Sequence, residues 1–328
     1  MRTILRIGAA GVLVLVLLWV DARLAWLNKG QSRVEIERDS VYTRLGERFL
    51  DFTFDETLSP VLKRPRRPAI TDLIPDQYRV RFPASVEGKD SASPTALKND
   101  GVIVVGKLES EDTNWVIDEL PDWDHAIYTV DNPTTLFSLS QNKGRESNVY
   151  LHYIINHYYT LPSTIVFLHS HRDGYPRAWR TEFDDHSNVR SIRNLQTDFV
   201  QRNGYANLRC NPIPGCPDEI RPLREPKDAF RPAEVAFAET WRLFFNDTNV
   251  PEVIGVPCCS QFAVSREQVH QRPLSSYVRY HQWLMETDLP DDVSGRVMEY
   301  MWHIIFGQSP VYCPEMEECF SDVYGLAI

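Results

Sequence analysis

The sequence predicts an α/β domain, with a mostly parallel central sheet, helices on both of its faces, and one N-terminal apolar helix ahead of it. Three runs carry this prediction: Val102-Ile103-Val104-Val105, Ala126-Ile127-Tyr128-Thr129-Val130 and Thr164-Ile165-Val166-Phe167-Leu168. Short apolar runs without polar alternation are what strands covered on both faces require. Helical stretches alternate with them through short connections, which reads as β-α-β units. In chain order, the first run leads to Glu109–Leu120, where Trp115, Ile117 and Leu120 are expected on a helix. The second run ends at Asp131-Asn132-Pro133. A helix over about Ser147–Tyr159 follows and is stopped by Leu161-Pro162. The third run passes directly into His169-Ser170-His171-Arg172-Asp173. A last amphipathic helix is expected over Arg296–Phe306.

Composition narrows the function classes. The chain has 328 residues, 43% hydrophobic and 24% charged, which is ordinary for a globular protein. Its formal charge of -10 argues against nucleic-acid binding, because neutralising phosphates needs a basic surface. One segment is apolar enough to enter a bilayer: Ile7–Val20, preceded by Arg2 and Arg6 and extended by Leu24-Ala25-Trp26-Leu27. It is short of the ~20 residues of a full span, so signal anchor and cleaved signal peptide, with Val20 and Ala22 at the cleavage site, both remain open. The expected organisation is a cytoplasmic tail over 1–6, the signal segment over 7–27, a charged, proline-punctuated stem over 28–98, and a luminal domain over 99–328. The expected location is the ER/Golgi membrane, single-pass, with secretion as the alternative.

All six cysteines lie beyond residue 200, and two pairs of them read C-x5-C: Cys210/Cys216 and Cys313/Cys319. With Cys258 and Cys259 they fit disulfides in an oxidising lumen, in one of fifteen possible pairings. A lumenal setting favours Cys258 and Cys259 pairing elsewhere rather than reacting, and buried free thiols are the plainer alternative. Asn246-Asp247-Thr248 is a glycosylation sequon.

In open α/β sheets ligands bind beyond the carboxyl ends of the strands. That rule selects Glu109–Asp112, Asp131-Asn132 and the segment 169–173. Were the extended geometry to continue, His169, His171 and Asp173 would point the same way and offer nitrogen and oxygen donors to a divalent metal such as Mn or Zn. Capping of the strand by the same residues is the competing reading. On the late helix, Arg296, Glu299 and His303 are expected on one face, opposite Val297, Met298, Met301, Ile304 and Ile305. There Glu299 would serve as a base or orient His303, and His303 would ligate a metal or carry a proton; a purely structural cluster is the alternative. Asp122-Trp123-Asp124 reads as a surface loop. Neither a G-x-S-x-G elbow nor a glycine-rich phosphate cradle occurs.

The motifs YLHYIINHYYTLPSTIVFLHSHR (150–172), GYANLRC (204–210), PGCP (214–217), CCSQFAVSRE (258–267) and SGRVMEYMWHIIFG (294–307) resemble the fungal family known as domain of unknown function 3431, over about residues 101–325. Two departures from its pattern are Trp179-Arg180, where a Trp-His pair is common, and Ser321 and Ala327, where some members carry cysteines. The layout is similar to that of GT-A type glycosyltransferases. That resemblance implies a metal-dependent transferase with a nucleotide-sugar donor and a small-molecule or glycan acceptor. Asp131 would then contact the nucleoside, and His169, His171 and Asp173 would hold the cation. Glu299 would be the acceptor-side base and Arg296 a phosphate or acceptor contact. Two other classes stay open: a metal-dependent tailoring enzyme of secondary metabolism, and a non-catalytic secretory-pathway binding or scaffold protein.

Overall fold

A computed structural model describes residues 100–327 apart from 136 and 140. The apolar segment over 7–27 and the stem over 28–98 lie outside the described residues. Among the described residues, no helix is long and apolar enough to cross a membrane.

Five strands form one sheet in the order β2-β1-β3-β5-β4: β1 (Gly101–Lys107), β2 (Asp124–Thr129), β3 (Thr164–His169), β4 (Tyr205–Asn207) and β5 (Phe262–Ser265). β1 pairs in parallel with β2 and β3, with Val104 beside Ala126 on one side and Phe167 on the other. β5 is antiparallel to both β3 and β4. Four strands therefore run one way and β5 alone runs back. The sheet is mixed, with its parallel part at β2-β1-β3.

Strand side chains alternate between two cores. Val102, Val104, Ile165, Phe167, Phe262 and Val264 face one. It is closed by α2 (Ser147–His157), α5 (Pro232–Phe245), α7 (Leu274–Glu286), α8 (Asp291–Glu299) and α9 (Trp302–Ile305). Ile103, Val105, Val166, Leu168, Ala206 and Ala263 face the other. There α1 (Asn114–Glu119), α3 (Asn188–Asn194), α4 (Thr197–Asn203) and α10 (Met316–Tyr324) pack. A short α6 (Arg266–Val269) follows β5. Burial on both faces is why the strands read as unbroken apolar runs. Gly106 permits this closeness, since a Cβ there would meet Val149 of α2 at 2.8 Å.

Four local expectations are corrected or refined. Ile117 is 51% exposed while Trp115 and Leu120 are buried; residues two apart on a helix lie about 200° apart and cannot share its inner face. Asp122-Trp123 is a surface turn with Asp122 and Asp124 exposed, as expected, but Trp123 is buried and Asp124 already opens β2. The late helix is two helices, because the chain turns at Tyr300-Met301, where the Met301 N–H bonds three residues back to the Met298 carbonyl. Finally, the cysteines pair as Cys210–Cys319, Cys216–Cys313 and Cys258–Cys259. Cys258 and Cys259 pair with each other rather than elsewhere, and no cysteine is free.

Candidate functional site

The strand directions bring the carboxyl ends of β1, β2, β3 and β4 to one edge of the sheet, together with the entry to β5. In the order 2-1-3 the topological switch falls between β1 and β3, the crevice position beyond the strand ends at which open α/β sheets take ligands. The two loops there are tied together. The Trp115 Nε1–H donates to the Ser170 carbonyl at 3.1 Å, and His171 Nε2 lies 3.7 Å from Glu111 Oε1. The Glu109 N–H donates to Asp131 Oδ1 at 2.8 Å, and Asn132 Nδ2 donates to Glu109 Oε1 at 2.7 Å. Asp131 thus joins the β1 and β2 loops at the rim.

His169, the last residue of β3, donates its N–H to Gln261 Oε1 at 3.0 Å, just ahead of β5. Its Nε2 is buried without a partner. Burial first, and then the positive charges of Arg180 and neighbouring groups, push the imidazole down to about 3, so it is neutral at pH 7. The extended geometry expected through Asp173 stops at His169, because the chain bends at Ser170. Asp173 pairs instead with Arg172, whose Nε and Nη2 also reach both carboxylate oxygens of Glu119 at 2.6 and 2.8 Å. So placed, Asp173 forms no donor group with His169 and His171.

On α8, Arg296 reaches Glu219 at 2.6 Å and Glu299 at 3.5 Å, with its guanidinium 5.2 Å from the centre of the Tyr300 ring. Glu299 accepts the Cys259 N–H at 2.6 Å through Oε1. That bond ties the late helix to the Cys258-Cys259 turn, whose left-handed residues are Cys259 (φ 100°) and Ser260 (φ 54°). Burial raises the Glu299 carboxyl above the usual range against the pull of Arg296, and the neighbouring Glu146 pushes it the same way as burial. Glu146, just ahead of α2, is raised by burial too, with Arg145 and Arg180 opposing. The charge of Glu146 thus reaches Glu299, and burial raises both carboxyls.

Arg180 acts electrostatically on these carboxyls and on His169 at the strand end, and its guanidinium lies 5.3 Å from the centre of the Trp179 ring. His303 does not join them. After the turn at 300–301 it points into the interior, where Nε2 bonds the Pro310 carbonyl at 3.1 Å and burial lowers the ring to about 4. The expected shared face of Arg296, Glu299 and His303 is corrected accordingly.

Reading the sequence missed Glu146, Arg145 and Arg180 as site residues. Glu146 lies in no motif, whereas Arg180 was visible as a departure from the Trp-His pattern. Glu111 falls in a segment that the strand-end rule had marked. Among the described residues, donor atoms gather within 4.8 Å of one another at Cys258, Cys259 and Glu299, while His169, His171, Asp173 and His303 form no such group. Asn246 is exposed at the end of α5 in a left-handed conformation.

No curated protein and no solved structure matches the chain. A family model, described as protein of unknown function (DUF3431), matches residues 103–322 with the crevice loops, the acid of α8 and all six cysteines inside its span, and the chain belongs to that family.

Proposed function

We propose that the protein is a transferase that moves a glycosyl group from a nucleotide-diphosphate donor to a hydroxyl acceptor. The observation that carries this reading is electrostatic: the charge of Arg180 acts on His169 at the end of β3 and on the buried carboxyls of Glu146 and Glu299. Arg180 and Arg145 provide the positive charge that a diphosphate leaving group needs as its bond to the sugar breaks. Asp131, on the rim, would meet the nucleoside. Glu299 is the acceptor-side base. Its raised carboxyl is a stronger base than an exposed one, and the Cys259 N–H and Arg296 hold it in place.

A divalent cation fits the chemistry of His169 and His171, with Glu111 in place of Asp173, since a neutral imidazole with an unpartnered Nε2 is a ready donor. When bound, it would neutralise charge on the diphosphate. These donors do not close into one shell as placed, so no step is assigned to the cation. Three disulfides support an oxidising compartment. With the apolar segment over 7–27, they favour a lumenal domain held at the ER/Golgi membrane.

Thermal unfolding of the full chain with UDP or GDP, with and without Mn2+, tests the proposal. Ligand at a hundredfold excess over Kd stabilises by about 2.7 kcal/mol. Arg180→Ala should remove this shift, and Glu299→Gln should keep the shift but lose donor turnover. Absence of any nucleotide-dependent shift, in either metal condition, would overturn the reading.

A further inference from the structure

We propose that Cys258, Cys259 and Glu299 form a latent site for a thiophilic divalent cation such as Zn2+ or Cd2+, opened by reduction of the Cys258–Cys259 bond. Both sulfurs and a Glu299 oxygen lie within 4.8 Å of one another. The cysteines are 2% and 7% exposed, while the Glu299 side chain is 13% exposed. Two thiolates and a carboxylate are a donor set that tetrahedral zinc accepts, with water in the fourth position. Metal–sulfur distances of ~2.3 Å in a tetrahedral shell place two thiolates roughly 3.8 Å apart, so the sulfurs separate once their bond is reduced, while the Glu299 oxygen need move by only about 1 Å.

The chemistry balances with a dithiol as reductant. Its two sulfurs join as a disulfide, and the two electrons and two protons it releases convert the Cys258–Cys259 bond into two thiols. Cation binding then releases those two protons to solvent, because the ligands are thiolates. In the oxidised form the sulfurs are spent on each other and the site is closed. Cation binding here also occupies the carboxylate assigned above as the acceptor-side base, so a reduced, metal-loaded chain should lose turnover. Only that consequence rests on the proposed transferase activity.

The test is a Cd2+ titration of the full chain after native reduction with dithiothreitol and anaerobic removal of the reductant. It reads the sulfur-to-metal charge-transfer band and the metal-to-chain ratio. The expected result is one Cd2+ per reduced chain and none per oxidised chain. Cd2+ should also protect Cys258 and Cys259 from alkylation, as mapped by peptide mass spectrometry. Glu299→Gln should weaken binding by roughly 10-fold or more, a loss that even an outer partner of a metal ligand produces. A Cys258→Ser/Cys259→Ser variant, which keeps the other four cysteines, should lose the band.

The alkylation map needs no variant and so stands even if the double variant fails to fold. The proposal is overturned if the band survives in that variant, if alkylation of Cys258 and Cys259 is unaffected by Cd2+, or if native dithiol treatment leaves their bond intact. None of these readouts involves a nucleotide, so the cation site and the transferase reading fail independently.

Discussion

Cys210–Cys319 spans 109 residues and Cys216–Cys313 spans 97, and the second bridge lies wholly inside the first. This nesting has an energetic consequence. In the chain-entropy treatment a lone bridge over a loop of about 100 residues stabilises by about 4.7 kcal/mol. While one of the two bridges stands, however, the other closes only the 12 residues by which their spans differ. A loop of about that length corresponds to about 3 kcal/mol. Removing either bridge alone, as Cys210→Ala/Cys319→Ala or Cys216→Ala/Cys313→Ala, should therefore cost about 3 kcal/mol. Removing both should cost about 7.5 kcal/mol, exceeding the sum of the single losses by about 1.5–2 kcal/mol. Urea unfolding without reductant, with the Cys258–Cys259 bond left intact in every variant, measures these differences. A single removal costing about 5 kcal/mol, or a quadruple variant no worse than the sum of the two pairs, would refute the argument from nested loops.

Two further outcomes follow from buried charge. The folded-state pKa of His303 is lowered to about 4 against 6.5 when exposed, so the unfolded chain binds its proton first and stability is lost as pH falls from 6.5 to 4. The slope is about 1.4 kcal/mol per pH unit for one proton; His303→Gln should reduce the slope by that amount in urea titrations at pH 7 to 4, and parallel profiles would refute the assignment. Arg209 and Glu182 are paired at 3.7 Å with side chains only 6% and 5% exposed. Glu182→Ala strands the guanidinium and should cost about 3–5 kcal/mol in chemical denaturation, whereas a loss below ~1 kcal/mol would mean that Arg209 finds water.

Much of the framework was legible in the sequence, because burial on two faces writes itself locally. β1 and β3 sit between neighbouring strands and under helices on either side, so their central residues, Val102–Val105 and Ile165–Leu168, are apolar without alternation. The strand-end rule marked Glu109–Asp112, Asp131 and His169, which the strand directions bring to one edge of the sheet. Period and sign of charge could not go further. Residues 146, 180 and 299 come from a loop, an irregular segment and a helix, and no spacing rule relates them. Their approach depends on how the crossovers return to the sheet.

The α8–α9 break shows the same division. The amphipathic pattern over 296–306 satisfies a continuous helix, but packing around Trp302 and Phe306 and the bond from His303 to Pro310 place the second half in a new phase. The sequence by itself thus determined the strand runs, their alternation with helices and the edge of the sheet that holds the polar groups, because each depends on neighbours a few residues away. Tertiary structure alone decided that β5 runs backward, which cysteines pair, and which acids face Arg180. Those outcomes depend on contacts closed over tens to hundreds of residues, where chain direction and loop path, rather than local preference, choose the partner.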